Sequence, residues 1–151
     1  MQLKISKRMM FVIISVVDIA YTNSDKPVQT KDIANRHNIP VRYLEKALQG
    51  LVKNNILKGR RGPSGGYSLA KEKRKITLAD IVKVVNEIEA KEQKSFVEND
   101  WVKKVLNPIW QDMNEMNTKH LESISLQDLF KIATDKNIGM DKPDDINNFM
   151  I

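Results

Sequence analysis

The sequence of 151 residues contains no cysteine and only two histidines. Without a thiol the chain cannot form a disulfide, a thiolate metal site or a cysteine nucleophile, and its composition is compatible with the cytoplasm, where we place the protein. His37 and His120 lie in different segments, and no phosphate-binding loop of the G-x-x-x-x-G-K-[ST] type is present. Acidic neighbours such as Glu87 and Glu89 are typical of solvated charge. We therefore predict that the protein is not an enzyme.

Long hydrophobic runs are also missing, because no stretch approaches the roughly 18 apolar residues that span a bilayer. The longest apolar run, residues 9–17, follows basic residues and ends at Asp18. It lacks the small-residue cleavage site of a signal peptide. We interpret this run as a buried first helix, and we predict no membrane partner.

Acidic residues are scarce in the front of the chain. Residues 1–91 hold 18 Lys and Arg against 8 Asp and Glu, a net charge of +10, whereas residues 92–151 hold 7 against 11, a net charge of −4. A basic front with an acidic rear is typical of a polyanion-binding module that carries a separate assembly element. Binding to a membrane surface is the alternative. The basic residues are spread over several segments and form no single amphipathic stripe, which favours nucleic acid.

Glycine is scarce as well, and four of the six glycines fall between positions 59 and 66. This glycine-rich segment lies between the strand-like residues 57–58 and 67–69, which predicts a β-hairpin. Arg60 and Arg61 at its base would make a cationic finger that enters a DNA groove or binds phosphate. An ordinary surface hairpin is the alternative interpretation.

A helix-turn-helix pattern precedes the hairpin. Thr30 is a candidate N-cap for a short helix over 31–37, residues 38–39 form the turn, and Pro40 suits the first turn of a second helix over 41–54. Leu44, Leu48, Leu51 and Val52 recur at helical spacing and predict its buried face. Two helices followed by a basic hairpin describe a winged helix, whose second helix normally enters the major groove. A solvated charged face on a core helix is the alternative.

The rear of the chain predicts a long helix over residues 100–123 with an apolar stripe. Pro108 lies inside the pattern and indicates a kink or a later start of the helix. Pairing with a second copy across a two-fold axis is the use that we predict, and folding back onto its own domain is the alternative. The predicted interface consists of Val102, Val105, Leu106, Ile109, Trp110, Met113 and Met116.

Several motifs together resemble the Rrf2 family of bacterial winged-helix regulators. They are I-S-K at 5–7, D-I-A at 18–20, R-Y-L-E at 42–45, R-G-P-S-G-G-Y at 61–67 and I-T-L-A-D-I-V at 76–82. The resemblance covers about residues 3–134. The family includes regulators of iron–sulfur and cysteine metabolism and a nitric-oxide sensor. It implies a homodimeric transcription regulator, with the long helix as the dimerisation helix.

The resemblance also implies roles for individual residues. Arg42 and Tyr43 would contact phosphate or base edges, Glu45 would accept a hydrogen bond from a cytosine amino group, and Arg61 would reach the minor groove while Arg60 binds phosphate. Backbone N–H groups of the wing would approach the DNA. The complete set of predicted DNA contacts is Ser6, Lys7, Arg8, Arg42, Tyr43, Glu45, Lys46, Gln49, Arg60, Arg61, Ser64, Gly65 and Gly66.

The chain departs from the family where cluster-binding members ligate iron. If Trp110 is matched to the family's tryptophan, the last cysteine falls on Lys104 and the histidine on Asn107. Neither side chain ligates iron well, so we expect no iron–sulfur cluster and no other cofactor. Pro40 and Met10 also stand where the family usually has a hydroxyl residue and an arginine. Control would then come from a protein or small-molecule effector.

These observations predict a mostly α-helical fold with a small β-hairpin wing. We divide it into a winged helix-turn-helix domain (1–89), a linker (90–99), a dimerisation helix with a short C-terminal helix (100–134), and a flexible tail (135–151). Thr77 with Asp80 caps the last helix of the first domain, and Ser125 with Asp128 caps the short C-terminal helix. The predicted function is a homodimeric repressor of a partly palindromic operator. The alternative is a protein-interaction regulator that docks a metabolic enzyme, with DNA binding secondary or lost.

Overall fold

A computed structural model describes residues 5–22, 26–93 and 98–139. Within these ranges the chain forms helices and one antiparallel hairpin, which confirms the predicted fold class. The elements are α1 (Lys7–Tyr21), α2 (Thr30–His37), α3 (Val41–Lys53), β1 (Leu57–Arg60), β2 (Gly66–Leu69), α4 (Leu78–Glu92), α5 (Asn107–Glu122) and α6 (Leu126–Asp135), with a 3-10 turn at Lys73–Lys75 and a π-helical turn at Val102–Leu106. No helix in the described ranges is both long and apolar enough to cross a bilayer.

The hydrophobic core lies among α1, α2, α3 and α4. The apolar run of α1 contributes Val12 and Val16, which are at most 1% exposed, so its interpretation as a buried helix is confirmed. On α3, Leu44, Leu48 and Leu51 are buried as their spacing predicts. Val52 was expected on the same face and is 37% exposed instead, because it lies on the flank of the helix that faces the wing.

The turn between α2 and α3 depends on one left-handed residue. Asn38 has φ of 52°, a conformation that asparagine tolerates better than most residues. The backbone N–H of Ile39 then donates to the Ala34 carbonyl at 3.0 Å, and Ile39 is buried. Thr30 was expected to cap α2, but it is the first helical residue. The N-cap is Gln29, whose side chain makes no capping bond.

A buried carboxylate joins α1 to the end of α2. Asp18 is 3% exposed and accepts a hydrogen bond from His37 Nε2 at 2.8 Å. Arg36 Nε lies 3.1 Å from the same Asp18 oxygen, but this N–H is not aimed at it and makes no hydrogen bond within the described residues. Since a buried charge requires partners, this cluster fixes the first helix-turn-helix element against α1.

Two capping boxes meet at the start of α4 and of α6. Thr77 with Asp80, and Ser125 with Asp128, each make the reciprocal pair of capping bonds that the sequence predicts. The two N-caps also form an isolated antiparallel bridge, since Thr77 pairs with Ser125. The α6 helix is thereby held against the winged domain, and its first residue, Leu126, is fully buried in the same core.

Pro108 is accommodated by the π-helical turn that precedes α5. A proline has no N–H and its ring crowds the preceding turn of an α-helix, so the helix must widen or bend there. The N–H of Asn107 reaches back to the Val102 carbonyl across this wider turn. Pro108 then occupies the first turn of α5, where its missing N–H costs nothing.

The bounds of the helices can be compared with the predicted division of the chain into domains, although they do not test it. The α4 helix extends to Glu92 and so takes in the first three positions of the expected linker. The expected tail begins at 135, and positions 140–151 lie outside the described residues, as do positions 94–97 of the expected linker. The division into domains stays a prediction.

Candidate nucleic-acid interface

The α3 helix presents a polar face opposite its buried leucines. Arg42, Glu45, Lys46 and Gln49 are all exposed, as predicted for a helix that meets DNA. The leucines pack into the core and therefore fix which way this face points. The helix begins with Pro40 at its N-cap position, so no side-chain oxygen caps its first turn.

The wing is fastened to the start of α2. Strands β1 and β2 pair in the register Leu57↔Leu69 to Arg60↔Gly66. Val28, just before α2, adds a bridge to Tyr67 through two backbone hydrogen bonds of 2.8 Å. The Gln29 side chain donates to the Pro63 carbonyl at 3.1 Å. These bonds hold the wing in a defined position relative to the helix-turn-helix.

Glycine is required at the end of the wing loop. Gly66 has φ of 146°, and a Cβ there would lie 2.5 Å from the Val28 carbonyl oxygen. Gly65 is buried, a Cβ on it would collide with the Arg60 carbonyl, and its N–H already donates to the Gly62 carbonyl at 2.9 Å. This corrects the expectation that the Gly65 N–H approaches DNA, because that N–H closes the loop. Ser64 at the loop tip is exposed.

An open groove of about 840 Å³ separates the polar face of α3 from the wing. It brings together six predicted contact residues, namely Glu45, Gln49, Arg60, Arg61, Gly65 and Gly66. Lys31, Val41 and Val52 also line the groove, although they are not among the predicted DNA contacts. The spacing of Val41, Glu45, Gln49 and Val52 is helical, so this periodicity could have identified the face.

The arginines at this surface are available to a ligand. Within the described residues, the side chains of Arg42, Arg60 and Arg61 make no hydrogen bond or ion pair, and all three are exposed. An unpaired guanidinium can bind a phosphate or the edge of a guanine without first giving up a protein partner. The groove therefore combines cationic walls with one carboxylate, that of Glu45.

Three further predicted contacts, Arg8, Tyr43 and Lys46, meet on another flank of α3. Arg8 Nη1 donates to Glu92 Oε2 at 2.6 Å, and Lys46 Nζ donates to Glu92 Oε1 at 2.8 Å. The Arg8 guanidinium lies 5.0 Å from the centre of the Tyr43 ring. Tyr43 packs against the core and does not line the groove, so its contact with phosphate or base edges stays a prediction. Burial raises the pKa of its hydroxyl.

The contacts at Glu92 shift the pKa values of both Glu92 and Arg8. The hydrogen bonds from Lys46 and then Arg8 lower the pKa of the Glu92 carboxyl. The contact with Glu92 raises the pKa of Arg8. Glu92 is therefore ionised at neutral pH, and its bonds weaken only as the pH falls through that lowered pKa.

At the start of α1, the side chains of Ser6 and Lys7 make contacts within the chain. The Ser6 hydroxyl caps the helix by accepting a hydrogen bond from the Met9 N–H at 3.1 Å, and Lys7 Nζ lies 6.0 Å from the centre of the Phe11 ring. Both side chains remain exposed. The Ser6 hydroxyl can still donate a hydrogen bond to a phosphate, because capping uses only a lone pair of its oxygen.

A second exposed surface lies on α5 and its preceding π-helical turn. No residue of either segment is buried in the chain. Within the predicted interface, Ile109 and Trp110 are each 57% exposed and Met116 is 73% exposed. Trp101, which was left out of the prediction, is 70% exposed. Large apolar side chains that lie together on one exposed helix are typical of a protein–protein interface.

A helix-turn-helix followed by a two-stranded wing, with an open cationic groove between them, defines a winged-helix DNA-binding protein. Residues 5–132 match the model of the Rrf2 family, which is described as an iron-dependent transcriptional regulator. The chain belongs to this family and is a DNA-binding transcription regulator.

Relatives and solved structures agree with this assignment. The HTH-type transcriptional regulator IscR of Xenorhabdus nematophila is 29% identical over 131 residues, covering 85% of this chain and 80% of its own. The structure of T. potens IscR superposes with a TM-score of 0.69 at 29% identity, covering 92% of this chain and 94% of that chain. CymR, the global cysteine regulator of B. subtilis, gives a TM-score of 0.61 at 28% identity, covering 85% and 96%.

The side chains of this protein do not fit an iron–sulfur cluster. The sequence has no thiolate, and the described residues contain no group of three or more His, Asp or Glu that could hold a metal. Lys104 and Asn107, the positions matched above to family ligands, are used otherwise. Lys104 Nζ pairs with Asp100 at 3.0 Å, and Asn107 Nδ2 donates to Glu98 at 2.9 Å. Carboxylates, amides and ammonium groups are poor partners for a sulfide cluster.

Proposed function

We infer that the protein is a homodimeric repressor that binds a partly palindromic operator in the bacterial cytoplasm and carries no iron–sulfur cluster. The groove between α3 and the wing is the observation that supports this most strongly. It combines a helix face that fits the major groove with a wing that can follow the adjacent backbone.

Each side of the groove has its own part in this proposal. The α3 helix enters the major groove, where Glu45 accepts a hydrogen bond from a cytosine amino group and Gln49 contacts a neighbouring base. The wing lies along the adjacent minor groove, where Arg61 reads its width and Arg60 binds phosphate. Arg42 binds a phosphate at the start of α3.

The α5 helix supplies the two-fold symmetry of the complex. Two copies that pair through the same helix face form a closed isologous interface, so the two α3 helices are related by a dyad. A dimer of this kind recognises two half-sites in inverted orientation. The exposure of the apolar side chains of α5 supports this arrangement.

Repression is the outcome that we infer, because a dimer bound across a promoter blocks transcription without a further contact. Activation requires an added surface for the polymerase. Control of the repressor would come from a small ligand or a protein partner, since the sequence has no thiolate to ligate a cluster. The exposed face of α5 could also accept an enzyme, which is the alternative function.

Selection of duplex fragments by the purified protein tests the proposal. We expect the recovered sequences to share an inverted repeat, and we expect the Glu45→Ala variant to select a different base at one position of each half-site. Glu87→Ala is a matched control, because Glu87 is an exposed acid on α4 that does not line the groove. Recovery of fragments without a common sequence would favour the protein-docking alternative.

A further inference from the structure

Two cationic side chains from different helices bond the carboxylate of Glu92, which belongs to a third helix. Arg8 comes from the first turn of α1, Lys46 from the middle of α3, and Glu92 is the last residue of α4. Each cation donates to a different oxygen of the same carboxylate, at 2.6 and 2.8 Å. The side chains of Arg8, Lys46 and Glu92 are 51%, 49% and 36% exposed, so a ligand from solution can reach all three.

The position of Arg8 is fixed from a second side by an aromatic ring. Its guanidinium carbon lies 5.0 Å from the centre of the Tyr43 ring, which is within cation–π distance. The Tyr43 hydroxyl is buried and has no hydrogen-bond partner among the described residues. A rigid aromatic platform therefore holds one cation beside the other, and a phenolic donor lies unused next to them.

Two cationic donors that converge on one oxyanion are the usual arrangement of a phosphate site. The carboxylate of Glu92 lies at the C-terminal end of α4, where the partial negative charge of the helix opposes it, so the two cations hold it in place. Glu89, one turn earlier on α4, adds a further negative charge that acts on Arg8. The end of α4 thus places negative charge where two cations would otherwise face solvent.

The location of the cluster relates it to DNA. Lys46 immediately follows Glu45, and Glu45 lines the groove between α3 and the wing. Arg8 and Lys46 do not line that groove, so they flank α3 on another side. A helix in the major groove has a phosphate backbone on both sides, and the wing meets only one of them.

We propose that Arg8 and Lys46 form a second phosphate-binding site for the DNA backbone, and that the Glu92 carboxylate occupies this site in the DNA-free protein and competes with the phosphate. The proposal rests on the function inferred above. It makes Glu92 an internal competitor that lowers the affinity for DNA of any sequence, because phosphate contacts carry no base information.

The test compares Glu92→Gln with the parent in fluorescence-anisotropy titrations of operator and random duplexes. We expect the variant to bind both duplexes roughly 3- to 10-fold more tightly, since two surface ion pairs no longer oppose the phosphate. The slope of log K against log salt should steepen by up to about 0.9, because one added phosphate contact contributes about −0.9.

Glu87→Gln is the matched control, since it removes one negative charge from an exposed position of the same helix. Among residues 5–22, 26–93 and 98–139, the Glu87 carboxylate accepts one hydrogen bond, from the Asn54 amide at 3.5 Å. We expect it to bind like the parent. Adding Arg8→Gln and Lys46→Gln to the Glu92→Gln variant should abolish the gain, and melting curves of all variants establish that each is folded.

The outcomes separate the inference from the function on which it rests. If Glu92→Gln binds both duplexes like Glu87→Gln, or more weakly than the parent, Glu92 does not compete with DNA and the inference is wrong. If the parent and every variant fail to bind any duplex at low salt, the inferred function itself is wrong. A gain on both duplexes that the triple substitution removes supports the proposal.

Discussion

Replacing Ile109 with glutamate should convert the proposed dimer into a monomer without unfolding it. Ile109 lies near the middle of the apolar face of α5, and 57% of it is exposed in the single chain. Because no residue of α5 is buried within the chain, a charge at this position has no intramolecular core to disturb. Assembly and stability can therefore be separated by one substitution.

The magnitude follows from the area that the interface would cover. Full burial of an isoleucine side chain contributes about 1.5–3 kcal/mol, so covering the exposed 57% of Ile109 contributes roughly 1–1.5 kcal/mol in each subunit. Two copies contribute about 2–3 kcal/mol, and desolvation of two carboxylates adds to the loss. The dissociation constant of the dimer should rise by at least about 100-fold.

Light scattering after size exclusion, over a range of micromolar concentrations, measures the result. The parent should have twice the 17.4 kDa mass of one chain, and Ile109→Glu should approach the mass of one chain. Gln111→Glu is the matched control, because it adds the same charge to α5 two residues later, on the opposite side of the helix. If Ile109→Glu keeps the mass of the parent at every concentration, α5 is not the dimer helix.

Three further predictions concern the wing, the α1–α2 junction and iron. Gly66→Ala should lower the free energy of unfolding by roughly 2 kcal/mol, because the added Cβ would lie 2.5 Å from the Val28 carbonyl oxygen. Gly62→Ala should lower it by only about 1 kcal/mol, because no atom lies within 4 Å of the added Cβ. Equal melting temperatures of the two variants would contradict this prediction. Asp18→Ala should cost about 3 kcal/mol in urea unfolding, since it leaves the Arg36 and His37 side chains without their carboxylate partner, and a loss below 1 kcal/mol would show that the cluster is dispensable. Anaerobic purification with iron and sulfide should yield protein without visible charge-transfer absorption, and stoichiometric iron that alters DNA affinity would overturn the prediction.

Local signals in the sequence predicted most of the fold. The spacing of Leu44, Leu48 and Leu51 identified the buried face of α3, and the glycines from 59 to 66 identified the wing. Both capping boxes were found because a hydroxyl residue and an acid three positions later form them without help from the rest of the chain. Such features depend on neighbours in sequence, which a sequence shows directly.

The features that sequence analysis missed depend on contacts between distant segments. Arg8 and Glu92 are separated by 84 positions and Lys46 and Glu92 by 46, so no local pattern joins them. Gln29 stands at the N-cap of α2, and its side chain donates to the Pro63 carbonyl of the wing, 34 positions away, instead of capping the helix. Val52 is exposed because the wing, and not the core, lies beside it.

The central claim is that α3 and the wing bind DNA through the groove between them. The most direct test is a salt titration of operator and random-duplex affinity for the parent, Arg61→Ala and Lys83→Ala, an exposed lysine of α4 outside that groove. We expect strong salt dependence for the parent, a loss of roughly 1–3 kcal/mol in operator binding for Arg61→Ala, and parental affinity for Lys83→Ala. If Arg61→Ala binds both duplexes as the parent does, the wing does not contact DNA and the account is contradicted.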